Sequence, residues 1–383
     1  MDIGISELVI IAVILSRLLV PLLIIRFPLP AIVACLIIDA VDQTVFTAVA
    51  PDADLSGYQT YDKALDIYYL VIAYISTLRN WTNKFAVEVA RFLIYYRLVG
   101  VVLFELSGIR EILFIFPNTF EYFFIFYESV RLFWDPRRLS NKLVVGAAAF
   151  IWIFIKLPQE YWIHIAQLDL TDFVQEDIFG VAAGTSWIDT FAAKPWIVVI
   201  AIVVVAALIY AGYWLMKNKL PPRDRPLTID ADAEPGREVS PERLDAERKR
   251  MASTFVRPGL FEKMAMIALV GVIFGQVFQV SAEPIELTLI MALVVVANAA
   301  LSVLLERHGF GPTAALRQFV FTGLLNLGIL VAIVGFYTIT GQTVDLWNTF
   351  FYLLLITLLV TLYDRYRPEY VARFSKGEGQ ATT

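Results

Sequence analysis

Runs of about 20 apolar residues recur along this chain, and hydrocarbon offers a backbone no partner outside itself, so such runs fold only as helices or closed barrels. The runs are continuous rather than alternating, which selects helices. With 58% hydrophobic residues and 17% charged, the chain reads as an all-α, polytopic integral membrane protein. Eleven windows are long enough to cross a bilayer: about residues 5–25, 30–50, 62–79, 85–106, 111–134, 140–157, 195–216, 259–281, 285–305, 315–340 and 345–363. The N-terminal MDIGISELVI lacks the basic region and cleavage site of a signal peptide, so the first window is expected to stay as a span.

Basic residues alternate sides with each crossing. One side receives Arg26, Arg79, Lys84, Arg131, Arg137, Arg138, Lys142, Lys217, Lys219, Arg307, Arg365, Arg367 and Arg373, whereas the other receives only Lys63, Arg110, Lys156 and Lys194 among many acids. The positive-inside rule makes the first side cytoplasmic, with the N-terminus outside, the C-terminus inside and the plasma membrane as the expected location. A net charge of -5 with no basic domain argues against a nucleic-acid partner. The lone Cys35 excludes disulfides within one chain, and the separation of His164 from His308 makes a two-histidine zinc site unexpected.

Four stretches follow: a membrane domain at 1–216, a charged, proline-rich cytoplasmic linker at 217–258, a second membrane domain at 259–366 and a tail at 367–383. The linker holds too few apolar residues to fold alone, although Ser240-Pro241-Glu242 has the form of a helix start. Residues 158–194 read as an outer loop, either an interfacial amphipathic segment or a lid. The interiors of the last four spans hold neutral polar groups, with Gln318, Thr322 and Asn326 on one face as interhelical glue.

The first five windows contain ionisable groups, each costing a few kcal/mol in hydrocarbon and so expected to face a protein interior. The candidate polar site comprises Arg17, Asp39, Asp42, Asp66, Glu88, Arg91, Arg97, Glu121 and Glu128. Helical rise sorts them by depth. Arg17, Asp39, Asp42, Arg97 and Glu121 fall near the middle, Glu88, Arg91 and Glu128 near the cytoplasmic face, and Asp62 and Asp66 toward the outside. Three acids facing two arginines would leave one carboxylate holding a proton, as proton or cation coupling requires.

Asp39-x-x-Asp42 and Asp62-x-x-x-Asp66 each put two carboxylates on one helix face. This spacing resembles the signature of the CDP-alcohol phosphotransferases, D-x-x-D-G-x-x-A-R followed by G-x-x-x-D-x-x-x-D, whose aspartates imply metal-assisted transfer to a lipid. Gln43 replaces the motif's first glycine, Phe46 and Thr47 its Ala-Arg, and Gly57 lies one residue too far from Asp62. The resemblance covers under a tenth of the chain and assigns no membership.

Three functions fit these observations. A secondary transporter or proton/ion-coupled carrier for a small molecule or ion leads, because charges of both signs lie at mid-membrane. A metal-dependent lipid transferase using Asp39, Asp42, Asp62 and Asp66 is the alternative, and a noncatalytic scaffold subunit with architectural ion pairs is the third. No cofactor is named by any motif, and the bilayer itself is the one certain partner of such a chain.

Overall fold

The structure, a computed structural model, describes residues 5–49, 56–168, 170–218, 221–253, 258–277, 293–298, 300–301, 315–339 and 346–375. Most of the ninth window, His308 and residues 376–383 of the tail lie outside them, as do the side chains of Gln43, Thr47 and Gln318. No strand occurs among the described residues, and the chain is all-α.

The helices are α1 (Ile5–Leu19), continued by a 3-10 stretch Val20–Ile25, α2 (Pro28–Val49), α3 (Ser56–Asn80), α4 (Lys84–Ser107), α5 (Glu111–Ile115) and α6 (Thr119–Phe133). They are followed by α7 (Asn141–Phe150), α8 (Pro195–Asn218), α9 (Pro241–Ser253), α10 (Pro258–Val277), α11 (Ala315–Ile339) and α12 (Leu346–Phe374). Local chemistry sets many of the ends. Asn83 accepts from the Ala86 N–H at 3.1 Å and Ser140 from Leu143 at 3.2 Å, which satisfies first-turn donors that have no partner inside the helix. Proline opens α2, α8, α9 and α10, where its missing N–H costs nothing. Gly108 closes α4 with φ +69°, a left-handed turn that a side chain would strain.

Where they are described the windows are helical, the fifth in two pieces. Among the described residues five stretches are long and apolar enough on those grounds alone to cross a membrane: Leu8–Ile25, Asn141–Ile165, Pro195–Trp214, Gly259–Val277 and Trp347–Phe374. The Pro195–Trp214 stretch buries none of its residues, as a helix surrounded by lipid would.

Three boundaries differ from the sequence reading. The fifth window is broken between α5 and α6, because Pro117 lacks the N–H a continuous helix needs and Asn118 restarts the chain at α6. The sixth runs eight residues further than 157, as α7 passes through π-helical stretches at Ile151–Lys156 and Tyr161–Ile165. The outer segment is consequently shorter, and Gln175, buried and bonded to Thr185 O (2.7 Å) and Gly184 N (2.8 Å), organises it with the ring contact of Phe179 and Phe191. Finally, α12 continues past residue 363 to Phe374, which carries Asp364, Arg367 and Arg373 onto a single helix.

Helix α3 forms the centre. Tyr68 and Tyr74 along it and Trp81 just past its end are fully buried, and α1, α4, α10 and α12 pack around it. The two membrane stretches therefore share a core cluster that joins Leu70 and Ile94 to Ile267, Ile356 and Tyr363. The charged segment 221–237 docks across helix ends rather than hanging free: Ala231 N donates to Arg26 O at 2.8 Å, Asp230 pairs with Arg26 at 3.0 Å, Asp232 meets Arg79, and Arg225 holds Glu234 at 2.6 Å. Too apolar-poor to fold alone, it is held by ion pairs instead.

Those pairs give the docking a pH dependence. The Arg26 side chain bonded to Asp230 holds that carboxyl below the usual range, and Asp135, which Arg225 of the segment meets at 3.4 Å, is also held low, chiefly by its bond from the Arg137 side chain. Their contribution is complete above the unfolded aspartate value of about 3.9 and is lost as pH falls through the depressed folded values. Burial raises Glu234, which titrates first and in the opposite sense. Hydrogen-exchange protection of residues 221–237, corrected for intrinsic rates, is expected to persist to about pH 4 and collapse below it. Protection that fell away between pH 7 and 5 would contradict this.

Candidate functional site

Arg17, near the end of α1, is 6% exposed and meets four aspartates. Its Nη2 lies 2.7 Å from Asp39 Oδ1 and pairs with Asp66, and its Nη1 lies 2.5 Å from Asp42 Oδ2 and pairs with Asp62. The i,i+3 and i,i+4 spacings on α2 and α3 turn each pair of carboxylates toward the same guanidinium. Asp42 is buried, while the side chains of Asp39, Asp62 and Asp66 are 36%, 29% and 40% exposed, so the chamber opens on one side. Carboxylate oxygens of Asp39, Asp42 and Asp62 lie within 4.8 Å of one another, a separation that one bound cation can bridge.

The depth ordering changes accordingly. Asp62 and Asp66 belong to the same layer as Arg17, Asp39 and Asp42, because α3 packs beside α1 and α2 with its first turns level with Arg17. One fixed positive charge then faces four carboxylates, instead of two facing three. Arg97 joins a different group. Its Nη1 donates to Phe116 O at 3.0 Å, a carbonyl freed by the break before α6, and lies 3.8 Å from Glu160, which the extension of α7 supplies.

Glu121 sits at that second group, accepting from Asn118 Nδ2 at 2.5 Å, near buried Lys156, whose ammonium lies 3.9 Å from the Tyr122 ring centroid. Glu160 also accepts from the Asn118 backbone N–H at 3.0 Å and contacts His164 Nε2 at 3.0 Å. Glu128 forms a third group: fully buried, it accepts from Trp81 Nε1 at 2.8 Å and Arg131 Nε at 2.6 Å, with Glu234 of the docked segment 3.8 Å from Arg131. Glu88 faces outward, 47% exposed and 3.8 Å from Lys84.

Arg91 belongs to a fourth group that spans both membrane stretches. Its Nε lies 3.2 Å from Glu262 of α10 and donates to Tyr74 Oη at 3.1 Å, while Arg367 of α12 pairs with the other Glu262 oxygen at 2.9 Å. Glu262 and its neighbour Lys263, bonded to Asp364 at 2.8 Å, correct the reading of the later spans as purely neutral. Their positions one turn into α10 made them look like a helix start. Of their partners, Asp364 and Arg367 lay past the expected end of the last span and Arg91 on the other membrane stretch, so nothing in the hydropathy joined them. The neutral glue is also present: Asn298 donates to Asn326 at 2.8 Å and Asn326 to Thr357 at 2.9 Å.

No known protein family, characterised protein or solved structure matches this chain.

Proposed function

We propose that the Arg17 chamber is a divalent-cation site and that the protein is a membrane-embedded transferase acting on a lipid-borne substrate. The observation that carries this reading is the convergence of Asp39, Asp42 and Asp62, from two helices, with their oxygens within 4.8 Å. Among the described residues four carboxylates gather on one guanidinium, and like charges this close favour the binding of protons or a cation. Oxygen-only donors of this kind suit Mg²⁺ or Mn²⁺. Asp39, Asp42 and Asp62 would hold the ion, with Asp66 beside them on Arg17, and the ion would supply Lewis-acid activation of a phosphoryl group.

Mn²⁺ binding by the purified protein, followed by the loss of its free electron-paramagnetic signal, should saturate and weaken at least tenfold in Asp39→Asn and in Asp62→Asn, with Mg²⁺ competing. Binding that survived both substitutions would exclude the chamber as the cation site. A second reading, the proton- or ion-coupled carrier, is favoured by the fixed Arg17 charge beside acids open on one side. In that case Asp39→Asn would abolish the pH dependence of transport in liposomes with no divalent requirement.

Around this site we place about eleven spans in the plasma membrane, with the N-terminus outside and the docked segment 221–237 cytoplasmic, as the distribution of Lys and Arg supports. Ser186 and Ser240 are both exposed. Single cysteines there, in a Cys35→Ala background, should label from outside and inside respectively. Labelling of both from one side would overturn the topology.

A further inference from the structure

A groove of about 520 Å³ opens along α4, walled by Phe92, Tyr95, Tyr96, Val99 and Phe116, with Glu88, Arg91 and Glu262 also on its lining. Residues 88 to 99 of α4 advance roughly 16 Å along the helix, so the groove has a charged end and an apolar remainder long enough for a stretch of acyl chain. Phe92 is 57% exposed and Val99 38%, which leaves the groove open sideways, toward where hydrocarbon would lie.

The charged end is not neutral. Glu262 is shared by two guanidiniums, Arg91 and Arg367, so the three groups together carry one positive charge. Lys84 offsets Glu88 at 3.8 Å, on the exposed side. Tyr95 is committed elsewhere, donating to Glu262 O at 2.8 Å. Arg91 Nη2 is buried and has no hydrogen-bond partner, and the same is true of Arg367 Nε and Nη1. Buried guanidinium donors without acceptors carry a desolvation cost that an anionic oxygen removes.

We infer that this groove binds one anionic phospholipid, with its phosphate on Arg91 and an acyl chain along Phe92, Tyr96, Val99 and Phe116. The site shares no side chain with the aspartate chamber and stands whether that chamber serves a reaction or a cargo. Location agrees with the chemistry. Arg91 and Arg367 fall on the side that the distribution of basic residues makes cytoplasmic, where anionic headgroups concentrate.

The test is thermal unfolding of the full-length protein in detergent, titrated with dioleoylphosphatidylglycerol, with dioleoylphosphatidylcholine and with inorganic phosphate. Phosphatidylglycerol should raise the midpoint saturably and phosphatidylcholine only at about tenfold higher concentration, because its choline offsets the phosphate charge. In Arg91→Gln the phosphatidylglycerol response should weaken about tenfold, the factor expected for one lost charge-assisted hydrogen bond. Val99→Trp, on the open wall, fills the apolar part without touching the ion pairs and should abolish the lipid response on its own, which keeps the inference testable if Arg91→Gln does not fold. An unchanged response in either variant would overturn it. So would a full midpoint shift with inorganic phosphate alone, since an apolar wall would then have no part in binding.

Discussion

Arg17→Gln is expected to be among the most damaging single substitutions in the membrane region, lowering stability by roughly 3–5 kcal/mol, the range for breaking a buried ion pair by removing one partner. The substitution strips the Arg17 guanidinium from Asp39, Asp42, Asp62 and Asp66 and leaves four carboxylates on two packed helices facing each other. Two further outcomes separate this from a simple packing loss. Mg²⁺ should restore part of the lost stability, because a divalent ion can take over the role of the missing charge. Asp42→Asn introduced into Arg17→Gln should recover stability rather than lose more, a coupling that a double-mutant cycle reads directly. Additive losses, with no response to Mg²⁺, would show that the four aspartates are not held as one ionic unit.

Glu128→Ala is expected to cost a similar roughly 3–5 kcal/mol, for a different reason. Glu128 is fully buried and divides its two oxygens between the Trp81 indole and Arg131. Alanine leaves Arg131, itself 1% exposed, with only Glu234 at 3.8 Å, and leaves the indole N–H unpaired beneath the stacked ring of Tyr127, 3.7 Å away between centroids. Glu128→Gln keeps an acceptor for Trp81 and loses only the charge, so its cost should fall between wild type and alanine. Equal costs for the two variants, measured by thermal unfolding in the same detergent, would show that the charge contributes nothing.

The helical class and most helix positions were legible because a membrane-length apolar run is a strong, local signal. The convergence of Arg17 on Asp39 and Asp42 was also legible, since helical spacing turns those side chains to one face. What the chain conceals is the vertical offset between neighbouring helices. Counting residues from the expected ends put Asp62 and Asp66 a layer away from Arg17, whereas packing sets α3 level with it. Arg97 was misassigned for the same kind of reason: its partners are a carbonyl released by the break at Pro117 and a glutamate on an extension of α7, and neither depends on hydropathy. Glu262 went unnoticed at a helix start, where an acid is ordinary and its distant partner, Arg91, lies on a different membrane stretch.

Helix α12 lies against α3 along most of that helix. At one end Tyr61, next to Asp62, donates to Asn348 at 2.8 Å and stacks edgewise on Phe351; at the other Arg373 donates to the carbonyls of Leu78, Arg79 and Trp81. An aspartate-bearing rod splinted at both ends cannot tilt without carrying its splint along. The end of α1 is tied to the same rod: Tyr68 Oη donates to the Leu18 carbonyl at 3.2 Å, and beyond the 3-10 stretch Val20–Ile25 the side chains of Arg79 and Asn80 donate to the Ile25 carbonyl at 2.8 and 2.9 Å. Mechanically, both walls of the chamber hang from α3, so a shift of that one helix would carry its own aspartates and the end of α1 together, and the spacing between Arg17 and Asp62 is set by a single rod.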